Sequence, residues 1–280
     1  MHDRKPDWLK IKLPKGVNYK NVRQLVAENQ LNTICVSGNC PNLGDCWGRG
    51  TATLMILGDI CTRACRFCAT KTGIPQPADQ EEPARVANTV RIMKLNHVVL
   101  TSVDRDDLPD GGAGIWAETI LQIKKENPNT TIEALIPDFQ GDADLISKVI
   151  LARPEIISHN LETVRRLTPV LRNKAIYDRS LQVIKQIAES SITSKSGIMV
   201  GIGETSEEVE ETMDDLLKAG CRIFTIGQYL QPTPDHLPVT EYVHPDIFKN
   251  YKDTGLKKGF KVVESNPLVR SSYHAETHIC

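Results

Sequence analysis

From Thr51 onward the chain alternates short apolar runs with helix-like stretches, and this alternation constrains the fold more than any single residue. Runs near 52–58, 97–103, 131–136, 155–160, 196–201 and 222–227 read as strands. Stretches near 83–94, 114–126, 142–151, 177–189 and 206–219 read as the helices between them. A strand that returns to its sheet through a helix pairs in parallel. Six such units predict an α/β chain built on a partial (β/α)6 TIM-like barrel. Ligand groups are then expected at the C-terminal strand ends.

The remaining numbers bound the functional class. A chain of 280 residues can form one large domain that buries about three quarters of its extended surface. A formal net charge of −1 offers phosphates no basic face and argues against a nucleic-acid protein. No apolar run reaches the length of a membrane span. The start, Met1-His2-Asp3-Arg4-Lys5-Pro6, lacks the apolar core of a secretory signal, so a reducing cytoplasm is expected. In that setting eight cysteines point to metal or redox chemistry rather than a disulfide frame.

Six of the eight cysteines fall between residues 35 and 68, in two triplets. Cys61, Cys65 and Cys68 follow the first strand as CxxxCxxC, with Phe67 before the last thiol. Thiolates are soft donors suited to zinc or to iron–sulfur iron. Three thiolates on a four-iron cube leave one iron open, and that iron can bind something that reacts. Structural zinc wants four closed ligands, usually from paired CxxC knuckles. Upstream, Cys35, Cys40 and Cys46 make CxxxxCxxxxxC in a loop rich in Gly, Asn and Pro. Such a loop can turn backbone amides toward cluster sulfurs. A zinc-binding interaction module with two metal sites stays open as the alternative. Cys221 reads as a core thiol and Cys280 as a mobile end.

Other stretches sit at strand ends. Residues 1–20 read as an extended arm, with Trp8, Leu9, Ile11 and Leu13 as anchors, and a short helix is expected over 21–29. Ser102, Asp104 and the acids and glycines up to Gly114 follow the second strand. Their character suits a ligand's amino group and close backbone approach. His159, Asn160 and Glu162 follow the fourth strand, with His159 expected as a satisfied rim histidine. Gly201 and Gly203 follow the fifth and can admit a nucleoside edge. His236 and His244 are expected to be exposed and without function. Near the end stands Arg270-Ser271-Ser272-Tyr273, which composition alone does not single out.

CxxxCxxC with its aromatic resembles the radical S-adenosylmethionine enzymes, and the wider pattern resembles the lipoyl synthase family. That pattern adds Cys35, Cys40 and Cys46, the stretch from Ser102 to Leu108, Gly197 to Glu204, and Arg270 to Tyr273, covering nearly the whole chain. A biotin synthase-like or methylthio-transferring enzyme is the nearer rival, sharing only the second triplet. The resemblance implies two [4Fe–4S] clusters and S-adenosylmethionine as cofactors. Cys61, Cys65 and Cys68 would hold the catalytic cluster. Cys35, Cys40 and Cys46 would hold an auxiliary cluster, with Ser271, or else Ser272, as its fourth ligand.

Ser102 and Asp104 would face the methionyl end of S-adenosylmethionine, with Asn160, Glu162 and Gly203 as further contacts by strand-end position. The implied activity is insertion of sulfur at C6 and C8 of an octanoyl chain carried on a lipoyl carrier domain, with the auxiliary cluster as sulfur donor. Implied partners are that octanoylated carrier, an electron donor such as a flavodoxin or ferredoxin, and an iron–sulfur cluster carrier. The chain then divides into an N-terminal extension (1–50), the barrel (51–230) and a C-terminal extension (231–280).

Overall fold

The computed structural model describes residues 5–10, 33–34, 40, 42, 46 and 51–278. Ile11, Leu13, the helix expected over 21–29, Cys35 and Cys280 lie outside the described residues. Seven strands form one parallel sheet: β1 (Thr51–Ile56), β4 (His97–Ser102), β5 (Thr131–Leu135), β6 (Ile156–Ser158), β7 (Thr193–Val200), β8 (Ile223–Gln228) and β9 (Val262–Ser265), neighbours in that order. Leu54 pairs with Leu100 across β1 and β4, and Ile198 with Ile226 across β7 and β8. Two short strands, β2 (Ile60–Cys61) and β3 (Lys71–Thr72), form a separate parallel clip.

The crossovers are helices α1 (Glu82–Met93), α2 (Ala113–Glu126), α3 (Ala143–Leu151), the single turn α4 (Thr168–Leu171), α5 (Tyr177–Glu189), α6 (Ser206–Lys218) and α7 (Pro245–Lys258). Helix α5 shows why they form. Ser180, Val183, Ile184 and Ile187 recur every three to four residues and are buried against the sheet. Each fully buried Val or Ile contributes about 1.5–3 kcal/mol. Ile184→Ala would therefore cost about 2–5 kcal/mol.

The partial barrel is as expected, with three differences. A further strand, β9, joins the sheet as its seventh member through crossover α7, so the sheet continues into the segment 231–280. Strand β1 stops at Ile56, because Leu57 (φ 68°) and Gly58 (φ 92°) adopt left-handed backbone that ends the ladder. Strand β7 begins at Thr193 rather than near 196. Ser194, Lys195 and Ser196, polar though they are, are buried, because each finds a partner.

Inside the sheet Lys195 Nζ meets Glu133 Oε2 at 2.8 Å, and Ser158 donates to Glu133 Oε1 at 3.0 Å. His278, close to the C-terminus, reaches the same lysine through Nδ1 at 3.3 Å. At the other end of the chain Leu9 is buried and the Trp8 ring packs edge-on against His244.

Candidate active site

The two left-handed residues after β1 turn the chain into the thiol loop, and the β2–β3 clip closes it, with Gly73 N donating to Cys61 O at 3.1 Å. Cys61 is buried, and its sulfur accepts the amides of Arg63 (3.4 Å) and Asp104 (3.3 Å). Two amides aimed at one sulfur stabilise it as a thiolate. Burial works the other way and, with the Asp104 charge, leaves the Cys61 thiol above its ordinary range. The Cys61 thiol also lies 3.8 Å from Asp104 Oδ2.

Threonine chemistry zips this loop to the end of β4. Thr62 N and its hydroxyl both donate to Asp104 O, and the same hydroxyl accepts Asp106 N at 3.0 Å. Beneath it Arg63 is buried, its fork on Asp106 at 2.8 and 2.7 Å. Its Nη2 also reaches Asp138 at 2.8 Å and its Nη1 lies 3.4 Å from Asp104. Burial opposes the charge on Arg63, but the ring of carboxylates raises its pKa further above the ordinary range. Burial likewise opposes the Asp138 carboxylate, yet Arg63 holds it down to about 2.

Cys65 and Cys68 are half-buried and share a turn, Cys68 N donating to Cys65 O at 3.1 Å. Burial pushes the Cys65 thiol up to about 12 against the nearby Arg172, while Asp104, Cys68 and Glu162 add to the rise. A thiol so raised gives up its proton when a cation takes the proton's place, as metal binding requires. Among the described residues no three His, Cys, Asp or Glu side chains converge as around a single metal ion. A cube carrying each thiolate on a different iron asks for a wider spread.

Facing this loop, Asn160 is buried with its Oδ1 unpartnered, although Arg172 holds its backbone carbonyl at 3.0 Å. Such an orphaned buried acceptor is a position for a donor group of a ligand. Glu162 takes left-handed backbone (φ 68°) and bridges to Ile198 in β7, which sets its side chain beside Asn160 and Arg172. Burial raises its carboxyl, opposed by those two neighbours. Gly197 is obligatory here: a Cβ would stand 2.3 Å from Thr225 Oγ1 and 3.2 Å from Asn160 Oδ1.

The sequence-expected contacts thus divide. Asp104 lies at the Cys61 sulfur, Glu162 is close enough to raise the Cys65 thiol, and Asn160 stands beside Glu162. Ser102 turns its hydroxyl to accept the Trp116 indole at 3.3 Å. Gly203 faces Thr240, and its carbonyl accepts from Arg166 at 2.8 Å. His159 is satisfied as expected but lies beneath the rim, fully buried between Ile136 O (2.9 Å) and Ser180 Oγ (3.0 Å). Cys221 is a buried core thiol, and His244 is exposed, capping α7.

His236 departs from expectation: it is half-buried, and Nε2 meets Cys68 O at 3.0 Å. Its proline-flanked stretch reads as surface because nothing local in the sequence shows that this turn folds back onto the thiols. Arg63, Asp138 and Arg172 also escaped the sequence reading, which took Asp106 only as one of the acids after the second strand. The signal was an arginine inside a cysteine motif together with an acidic run after the second strand, two halves of one ion-pair network.

The upstream cysteines meet the far end of the chain. Asn42 Nδ2 donates to Leu268 O at 2.6 Å, and Cys46 N to Asn42 O at 3.0 Å. Arg270 is half-buried, and its pKa is lowered by desolvation, with Cys40 as its opposing neighbour. Ser271 and Ser272 are half-buried in the turn that follows. This segment lies against the end of β8: Gln228 N donates to Pro267 O, and a Cβ on Gly227 would stand 2.1 Å from Val269 O.

Known proteins match this arrangement. The family model described as the Radical SAM superfamily matches residues 55–216, and such proteins carry a [4Fe–4S] cluster and S-adenosylmethionine. The lipoyl synthase of Phocaeicola vulgatus is 63% identical over 278 residues, covering 99% of this chain and 98% of that protein. The lipoyl synthase of Treponema denticola is 58% identical over 278 residues, covering 99% and 96%. Among solved structures, methylornithine synthase superposes with a TM-score of 0.56 at 14% identity over 90% of this chain and 83% of its own, a likeness of fold alone. The chain is an enzyme of the lipoyl synthase family within the radical SAM superfamily.

Proposed function

We propose that the enzyme inserts two sulfur atoms, at C6 and C8, into an octanoyl chain amide-linked to a lysine of a lipoyl carrier domain. Cys61, Cys65 and Cys68 hold the catalytic [4Fe–4S] cluster. Cys35, Cys40 and Cys46, with Ser271 or its neighbour Ser272, hold an auxiliary cluster. The single observation that carries the two-cluster reading is the seating of Cys40 and Asn42 on Leu268 and Arg270, against the strand-end face that also bears the second thiol triplet.

When bound, the clusters and S-adenosylmethionine supply a carbon radical able to take hydrogen from carbons without acidic protons, and the sulfur that replaces it. The chain's own part is positional. Cys61 presents a sulfur already solvated by two amides, so binding there needs little reorganisation. Asp104, at that sulfur, faces the amino group of S-adenosylmethionine, and Ser102, its hydroxyl on the Trp116 indole, supports the same strand end from behind. The orphaned Asn160 Oδ1 accepts a donor of the nucleoside, and Glu162 lies within reach of its hydroxyls. Gly203 and the glycine turn before it lie at the nucleoside edge, held by the Glu204 carboxylate, which accepts the amides of Gly201 and Ile202. Buried Cys61 and Asn160 and the segment over Gly227 shield this face from water, which a carbon radical requires.

Serine oxygen is a harder, poorer donor to iron than thiolate, so a serine ligand suits a cluster that must be opened. In this reading residues 1–50, 51–230 and 231–280 divide the work as N-terminal extension, barrel and C-terminal extension. The partners are the octanoylated carrier, a low-potential electron donor of the flavodoxin or ferredoxin kind and an iron–sulfur cluster carrier, in a cytoplasmic setting.

Two variants test the division of labour. Cys35→Ala should retain reductive cleavage of S-adenosylmethionine and lose sulfur insertion, whereas Cys65→Ala should lose both. Cleavage surviving in Cys65→Ala, measured as 5′-deoxyadenosine formed, would contradict the assignment.

A further inference from the structure

We propose that His236 is a positioning residue that locks the Cys65–Cys68 turn for cluster binding; the inference rests on the reading of that loop given above. The turn has one internal bond, Cys68 N to Cys65 O. Among the described residues three bonds from outside hold it. Arg66 N donates to Leu171 O (2.9 Å), Leu237 N to Arg66 O (3.1 Å), and His236 Nε2 to Cys68 O (3.0 Å). Two of the three come from one stretch, residues 236–237, far from the thiols in sequence.

The partners of His236 define its state. A carbonyl only accepts, so Nε2 carries the hydrogen. Nδ1 lies 2.8 Å from Thr233 Oγ1 and takes the hydroxyl's hydrogen, so the neutral ring is satisfied at both nitrogens. The ring's support is built in advance. Pro232 and Pro234 restrict the backbone on either side of Thr233. His236 N donates to Thr233 O at 3.1 Å, Gln231 Nε2 to His236 O at 2.8 Å, and the Tyr229 hydroxyl to Leu237 O at 2.7 Å. Phe67, between the two thiols' turn residues, packs on the same apolar cluster as Leu237.

This geometry acts on a ligand's backbone. Turning the backbone at Cys68 would move its sulfur relative to Cys65, and the His236 bond, by fixing the Cys68 carbonyl, opposes that motion. Groups that orient a metal ligand from behind change affinity by about 10–100-fold when removed. The same connection starts at Gln228, whose amide donates to Pro267 O, so one continuous stretch joins the C-terminal segment to the thiol turn.

The test uses the full chain in apo and reconstituted forms. In apo protein, iodoacetamide alkylation of each cysteine is followed by peptide mass spectrometry. His236→Ala should raise the Cys68 rate roughly two- to ten-fold, the effect of losing one net hydrogen bond. His236→Gln, whose Nε2 can donate to the same carbonyl, should restore it, and the core thiol Cys221 should stay protected in both. In reconstituted protein, His236→Ala should release iron to a chelator about ten-fold faster than wild type. Wild-type rates in His236→Ala, or a Gln variant that behaves as Ala does, would overturn the proposal. Should His236→Ala expose Cys221, Thr233→Val replaces it: faster Cys68 alkylation supports the lock, and an unchanged rate overturns it. A wild-type protein that binds no iron would overturn the cluster reading alone, since the alkylation rates decide the lock without metal.

Discussion

Arg63 gathers three loop ends through one guanidinium: its own thiol loop, the Asp104–Asp106 segment after β4, and Asp138 after β5. Another buried group beneath the rim, His159, gives the protein a pH signature. Burial, with the Arg172 charge, pushes its pKa from 6.5 down to about 4, Asp138 opposing. The folded value lies below the unfolded one, so the stability it confers is complete above about pH 6.5. It is lost as pH falls from there through about 4, because the unfolded state takes up the proton first. The loss amounts to roughly 3 kcal/mol. Urea titrations at pH 7 and pH 4 should show wild type losing about that much more than His159→Asn, which cannot titrate. Equal losses in the two proteins would remove His159 from the account. In the sequence His159 was recognisable as a satisfied histidine, but its depth was not, since depth depends on Ser180 of α5 folding over it.

Elements carry the site's precision, and α6 is the clearest case. Thr205 caps it: its hydroxyl accepts Glu208 N (3.3 Å), and the Glu208 carboxylate accepts Thr205 N (2.9 Å). That reciprocal cap sets where the glycine turn at Gly201 and Gly203 leaves β7. Thr205→Ala should cost about 1 kcal/mol, read as a lower urea midpoint with an unchanged m-value. No change in midpoint would mean that the Arg166–Glu208 pair alone holds the turn. Most strand and helix spans were legible in the sequence, because periodicity is a local signal. The start of β7 was not legible, because Ser194 and Lys195 look solvent-facing until Gly220 and Glu133 supply their partners across the sheet. The role of residues 231–238 was hidden for the same reason: Pro and Asp mark a turn, and only the fold shows that it closes on Cys68.

At the scale of the whole molecule, a seven-stranded parallel sheet brings to one face residues separated by most of the chain. The thiol loop follows β1, Asn160 and Glu162 follow β6, and the segment from Pro267 to Arg270 crosses the end of β8 beside Cys40 and Asn42. The cysteine triplets stand out in the sequence as candidate ligand sets, since thiols at such density in a chain of this kind serve few other ends. Their meeting with the C-terminal segment was readable only by resemblance, because no local pattern connects residue 42 to residue 268. The central claim is that one chain holds two four-iron clusters. Anaerobic reconstitution with iron and sulfide, followed by counts per chain, tests it most directly. The account predicts about eight irons and about eight labile sulfides, four of each for every cysteine triplet. About four of each, or a colourless protein that holds zinc, would contradict it.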